Sequence, residues 1–197
     1  MKNSTITYIG MIVFHAGLGL LLFILPVFAK FYGLLALAAS FFIIIKNKNR
    51  NQEVLIASAY LVSIEVLLRM HNGVFFNEQG KYGVMIFMFL GMYYRGFSKN
   101  SLVYCFFILL LLPGVVIATS SLSLDVNIRK AIAFNISGPA CLAISAIYCY
   151  RREISFDKLN QIVVALSMPL VALLAYLFLY TPSIKEVVSG TNTNLET

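Results

Sequence analysis

Seven apolar runs, separated by short polar segments that carry most of the charge, set the first constraint on this chain. They cover residues 7–25, 31–45, 54–70, 82–94, 101–118, 131–150 and 159–180. A helix crosses the hydrocarbon core of a bilayer in roughly 20 apolar residues, and it does so with every backbone hydrogen bond made inside itself. The runs predict an all-α, polytopic integral membrane helix bundle with about seven transmembrane helices. Composition agrees: 60% of the 197 residues are hydrophobic and 12% charged, against about a quarter charged in soluble domains. A water-soluble globular enzyme is excluded. The domain reading is a transmembrane helical domain over 1–180 and a polar tail over 181–197, taken as the start of a larger periplasmic loop.

Charge sets the expected orientation. The net charge of +7 comes from Lys and Arg scattered between the apolar runs, as the positive-inside rule arranges them, and not as a nucleic-acid patch. With the N-terminus inside, nine basic residues fall on the cytoplasmic side, among them Lys46, Lys48, Arg50, Arg151 and Arg152. Six fall outside: Lys30, Arg69, Lys81, Arg129, Lys130 and Lys185. The fourth run, with 13 residues, is also short enough for a re-entrant segment. Without that crossing the tally becomes seven inside against eight outside, so charge favours seven spans. Lys81 and Arg95 can snorkel to opposite interfaces and lengthen the short run. The expected location is the bacterial inner membrane, with a cytoplasmic N-terminus and a periplasmic C-terminus. Lys2 and the apolar run before Val27-Phe28-Ala29 imitate a signal peptide, but the run is too long for one and reads as the first span.

Trp is absent, so an aromatic belt falls to Tyr8, Tyr32, Tyr82, Tyr93, Tyr94, Tyr150 and Tyr180 near the span ends. Pro113, Pro139 and Pro169 lie inside the last three runs and should kink them. Cys105, Cys141 and Cys149 lie in apolar runs at no ligand or disulfide spacing and read as buried thiols. No metal cluster, nucleotide loop or Ser/His/Asp set is visible, so neither cofactor nor metal is expected.

Glu65 and Arg69 carry the most chemical information. Four residues apart, they share a helix face with the acid in the favourable N-terminal position. A mid-span Glu costs roughly 2.5–3.5 kcal/mol to insert, which the nine Leu, Ile and Val from Val54 to Leu68 offset by about 4 kcal/mol. Glu65 should face other helices. The pair is either a fixed structural bridge or a functional site. Arg69, Lys81, Arg129 and Lys130 would form an electropositive collar at the outer headgroup level, suited to a lipid-linked phosphate or pyrophosphate or to ordinary headgroup contact. His71 reads as a solvated loop histidine. Asn135-Ile136-Ser137-Gly138-Pro139-Ala140 reads as a helix-packing segment, with a substrate groove as the alternative.

Three segments carry a family resemblance. Ile64-Glu65-Val66-Leu67-Leu68-Arg69-Met70 with Gly80-Lys81-Tyr82, then Ile128-Arg129-Lys130-Ala131-Ile132-Ala133-Phe134-Asn135-Ile136-Ser137-Gly138-Pro139, then Leu177-Phe178-Leu179-Tyr180-Thr181-Pro182, resemble bacterial O-antigen ligase/polymerase-like membrane proteins of the Bacteroidetes type. The resemblance covers most of the chain. It implies an inner-membrane glycosyltransferase that takes a glycan from undecaprenyl-pyrophosphate on the periplasmic side, with lipid A-core or a second carrier-linked glycan as acceptor. Pyrophosphate is the leaving group, so no nucleotide sugar or metal is implied. The family's catalytic Arg and His residues lie in a periplasmic loop and later helices, which this chain is expected to stop short of, and none is carried over. Arg69, Lys81, Arg129 and Lys130 are expected to dock the lipid pyrophosphate, with Glu65 orienting Arg69. The alternatives are a transport or flippase component, with spans five to seven lining the path, and an inactive truncated fragment.

Overall fold

Each apolar run becomes helix, and the polar segments become turns that reverse the chain. A computed structural model describes residues 2–71, 73–74, 78–110, 112–121 and 128–180, with the backbone alone described at 2–5, 115, 118–121 and 128–135. Eight α-helices are formed by the described residues: α1 (Lys2–Ile24), α2 (Phe28–Asn47), α3 (Glu53–Met70), α4 (Gln79–Arg95), α5 (Val103–Leu109), α6 (Leu112–Ser121), α7 (Ile128–Cys149) and α8 (Phe156–Leu179). A 3-10 turn, Lys99–Leu102, leads into α5. The described residues contain no strand.

Among the described residues, three helices are long and apolar enough to cross a membrane: Ile6–Ile24, Phe28–Asn47 and Phe156–Leu179. Their 19, 20 and 24 residues reach about 30 Å or more at 1.5 Å per residue. Large apolar side chains cover the outside, with Phe31, Leu35, Phe42, Phe106 and Phe178 all more than half exposed, a surface that suits lipid and not water. The chain is a helical membrane protein.

The remaining elements depart from the simple seven-span expectation in instructive ways. The fifth run is two short helices, α5 of 7 residues and α6 of 10, in place of one span. Pro113 sits in the first turn of α6, where its missing N–H is harmless, whereas a continuous helix would set its ring against the carbonyl of Leu109. By contrast α7 and α8 continue through Pro139 and Pro169. Helix α4 has 17 residues and α3 has 18, three of them charged.

Helix α3 can carry its three charges because of its place. It packs against α2, α4 and α8, and Val54, Ile64 and Leu67 along it are fully buried. A helix surrounded by protein can carry Glu65 and Arg69 without exposing them to hydrocarbon. Helices α1, α3 and α8 run parallel: the Phe23 ring meets Tyr176 at 5.9 Å, and His71 after α3 meets the same Tyr176 at 4.3 Å. Helices α2, α4 and α7 run the other way. The bundle therefore has two ends, a first formed by the α2–α3, α4–α5 and α7–α8 connections and a second where α3 ends and α4 begins.

The first end is closed by neutral hydrogen bonds. Lys48, Asn49 and Gln52 take left-handed backbone angles between α2 and α3, a conformation Asn tolerates because its short side chain bonds locally. Asn49 is fully buried; its amide donates to the Tyr148 hydroxyl at 2.9 Å, and its carbonyl oxygen accepts the Val54 N–H at 3.2 Å. One side chain thus caps α3 and ties it to α7. Ser155 caps α8 by accepting the Lys158 N–H at 3.3 Å.

Candidate functional site

The second end gathers most of the residues that the sequence singles out. Arg69 Nε donates to Glu65 Oε1 at 3.0 Å and its Nη2 reaches the same oxygen at 2.5 Å. Glu65 faces α4 and lies so close to Gly80 that a Cβ there would sit 1.9 Å from Oε2. Only glycine at that position leaves room for the carboxylate between α3 and α4. One residue on, Lys81 Nζ pairs with Glu78 Oε2 at 2.5 Å, and it donates to Ser137 Oγ on α7 at 3.3 Å. The Ser137 hydroxyl in turn donates to Glu78 Oε2 at 2.9 Å.

Three helices therefore converge on one carboxylate. The Lys81 ammonium, hydrogen-bonded to Glu78, holds that carboxyl below its usual range, with further help from the Ser137 hydroxyl and the charge of Arg69, against the opposing effect of burial. Arg69 and Lys81 thus act on the same acid from separate helices. Their side chains remain 46% and 35% exposed while Glu65 and Glu78 are mostly covered, so the acids anchor the cations and leave part of each facing outward.

Arg129 and Lys130 are placed by backbone at the start of α7, and their side chains lie outside the described residues. Glu78 was not singled out in the sequence, although its i, i+3 spacing to Lys81 was the available signal. His71 is not a solvated loop residue. Its Nδ1 bonds to the Leu67 carbonyl at 2.8 Å, its ring rests on Tyr176, and Nε2 is buried without a hydrogen-bond partner. Among the described residues no group of three or more His, Cys, Asp or Glu gathers in a way that could hold a metal.

A second polar cluster lies within the bundle, between α1, α2 and α3. His15, 7% exposed within α1, bonds through Nδ1 to the Met11 carbonyl at 2.8 Å and through Nε2 to the Tyr60 hydroxyl at 3.1 Å. Tyr60 also bonds to the Tyr32 hydroxyl. A carbonyl only accepts, so Nδ1 of His15 donates to Met11, and the two tyrosine hydroxyls extend the chain from Nε2. Tyr32 is consequently an interior link and not part of an interfacial belt. Two mainly apolar cavities flank this chain, of about 470 and 360 Å³, sharing Ile56, Tyr60 and Ala165. They lie among α1, α2, α3 and α8, so of spans five to seven, considered as a transport path, the seventh (α8) lines both.

No family model, curated protein or solved structure matches this chain.

Proposed function

We propose that the chain is the membrane part of a bacterial O-antigen ligase/polymerase-like glycosyltransferase, with the second end of the bundle docking an undecaprenyl-pyrophosphate-linked glycan. The observation that carries this reading is the pairing of Arg69 and Lys81 around Glu78, on neighbouring helices, each with an outward-facing remainder. A pyrophosphate needs cations that are fixed in direction yet still partly exposed. Arg69 presents a planar fork for bidentate contact, while Lys81 supplies a point charge beside it. Glu65 is the positioning residue, since both of its contacts, Arg69 and Gly80, set where the guanidinium stands.

The reading includes seven crossings, with α5 and α6 sharing one, in the inner membrane. The N-terminus is then cytoplasmic and the second end periplasmic, where the acceptor would be lipid A-core or a second carrier-linked glycan. Basic residues favour this orientation, nine near the first end against six toward the second. In this scheme the chain binds and orients the lipid pyrophosphate, which leaves as the glycosidic bond to the acceptor forms. No residue here is assigned as the catalytic base.

Binding tests the reading directly. Purified chain in nanodiscs is titrated with an isoprenyl pyrophosphate and, separately, with the matching isoprenyl alcohol. The pyrophosphate should bind at least tenfold more tightly, and Arg69→Gln or Lys81→Gln should each remove most of that preference. Equal affinity for the two lipids, or unchanged preference in both variants, overturns the docking role. A phosphatase reporter fused after Thr197 should be active, and a cytosolic readout there overturns the orientation.

A further inference from the structure

The first end holds a separate cluster of arginines that the proposed function does not use. The last turn of α4, the 96–98 linker and the α7–α8 turn enclose an open polar pocket of about 280 Å³, lined by Arg95, Ser98, Tyr148, Tyr150, Arg151 and Arg152, among others. At about 30 Å³ per water it has room for roughly nine waters, ample for a phosphate group. No carboxylate lines it.

The three arginines are not equivalent. Arg152 is fixed: Nε donates to the Tyr148 carbonyl at 2.5 Å, Nη2 donates to the Gly96 carbonyl, and its guanidinium lies 4.1 Å from the Tyr148 ring centre. It thereby clamps the 96–98 linker onto the end of α7 and gives the pocket a rigid floor. Arg151 takes a left-handed backbone, φ 55°, and its guanidinium stands 5.4 Å from the Tyr150 ring. Neither the Arg151 nor the Arg95 side chain makes a hydrogen bond or ion pair among the described residues. Both residues are exposed and line the pocket, so an anion entering it would meet two guanidinium groups without a carboxylate partner.

The geometry points to a binding site for the phosphate of an anionic phospholipid headgroup. The rim argues for a lipid over a soluble anion. Tyr150 meets Tyr104 of α5 at 6.1 Å, and beyond them Val103, Phe106 and Leu142 are 72%, 60% and 66% exposed. An acyl chain can follow that apolar surface while its phosphate enters the pocket, the arrangement by which basic pockets between membrane helices hold acidic lipid headgroups. The site lies at the opposite end from Arg69 and Lys81, so its failure and that of the docking reading are separable.

The test is native mass spectrometry and thermal melting of the detergent-purified full chain, titrated with cardiolipin, phosphatidylcholine and inorganic pyrophosphate. Cardiolipin should bind saturably and raise the melting temperature, phosphatidylcholine should not, and Arg95→Gln/Arg151→Gln should weaken cardiolipin at least tenfold while the lipid-free melting temperature holds. Lys46→Gln/Lys48→Gln, which removes two charges from the same end but outside the pocket, should leave affinity unchanged. The proposal is overturned by full affinity in the arginine variant, by an equal loss in the lysine variant, or by pyrophosphate binding as tightly as cardiolipin.

Discussion

The two ends of the bundle solve the same problem with different chemistry. Each must tie α4 and α7 to the α3 region. At the first end the tie is neutral, through Asn49 and Tyr148, and the nearby arginines find backbone carbonyls and aromatic rings. At the second end the ion pairs are local, Arg69 to Glu65 within α3 and Lys81 to Glu78 at the start of α4, and Ser137 links the second pair to α7. One end is held by buried amide and hydroxyl groups and keeps its cations in reserve. The other spends its carboxylates on positioning its cations. Stability at the second end should therefore be titratable through Glu78.

The largest effect is expected at the neutral end. Asn49→Ala removes two hydrogen bonds at once and leaves the Tyr148 hydroxyl and the Val54 N–H buried without partners. At about 1–3 kcal/mol for each orphaned group, the loss should be about 3 kcal/mol, read as a fall in melting temperature in detergent. A loss below about 1 kcal/mol would mean that water or another side chain replaces Asn49.

Glycine positions sharpen the comparison. Gly80 and Gly91 both lie on α4, one at each end, and a Cβ at Gly91 would sit 2.5 Å from the Tyr148 ring. Gly91→Ala must shift a fully buried ring and the amide bonded to it, an overpacking cost of about 2 kcal/mol. Gly80→Ala asks only that the flexible end of Glu65 turn aside, and should cost about 1 kcal/mol. The decisive measurement is a double-mutant cycle: with Glu65→Ala present, Gly80→Ala should cost almost nothing, while Gly91→Ala should keep its full cost. Equal costs for Gly80→Ala in both backgrounds would show that Glu65 does not occupy that space.

The smallest effect is the pH dependence of the ionic end. Lys81 holds the Glu78 carboxyl below its ordinary value, so the native state binds the proton less readily than the unfolded chain does. The resulting stability is present above the ordinary carboxylate pKa of about 4.3 and is lost as pH falls through the lowered native value. Glu78→Gln should flatten the melting temperature below about pH 4.3, with little change at pH 7 in the shape of the curve. An identical acid profile in wild type and variant would remove Glu78 from the linkage.

Much of this was legible in the sequence because a bilayer punishes error. Runs of 15 to 22 apolar residues gave helices whose ends fall within a few residues of those observed, as in 54–70 against Glu53–Met70 and 159–180 against Phe156–Leu179. The i, i+4 spacing of Glu65 and Arg69 foretold their ion pair, because helix geometry alone brings them together. The broken fifth run was harder to foresee: Pro113 announced a disturbance, but whether a helix bends or stops depends on what packs around it. His71 was misread for a related reason. Its position after α3 resembled a solvated loop until α8 supplied Tyr176 as a neighbour.

The sequence by itself determined that this is a helical membrane protein, roughly where most of its helices lie, and which acid meets Arg69. Each follows from backbone hydrogen bonding in hydrocarbon or from contacts within one helix. Tertiary structure alone decided that α3 is the sheltered helix, that Ser137 of α7 reaches Glu78, that His15, Tyr60 and Tyr32 form one hydrogen-bonded chain, and that three arginines enclose a pocket. These contacts join residues 28 to 59 positions apart, as in Tyr32–Tyr60 and Glu78–Ser137. No local periodicity encodes such pairings; they arise only when helix packing brings distant turns together.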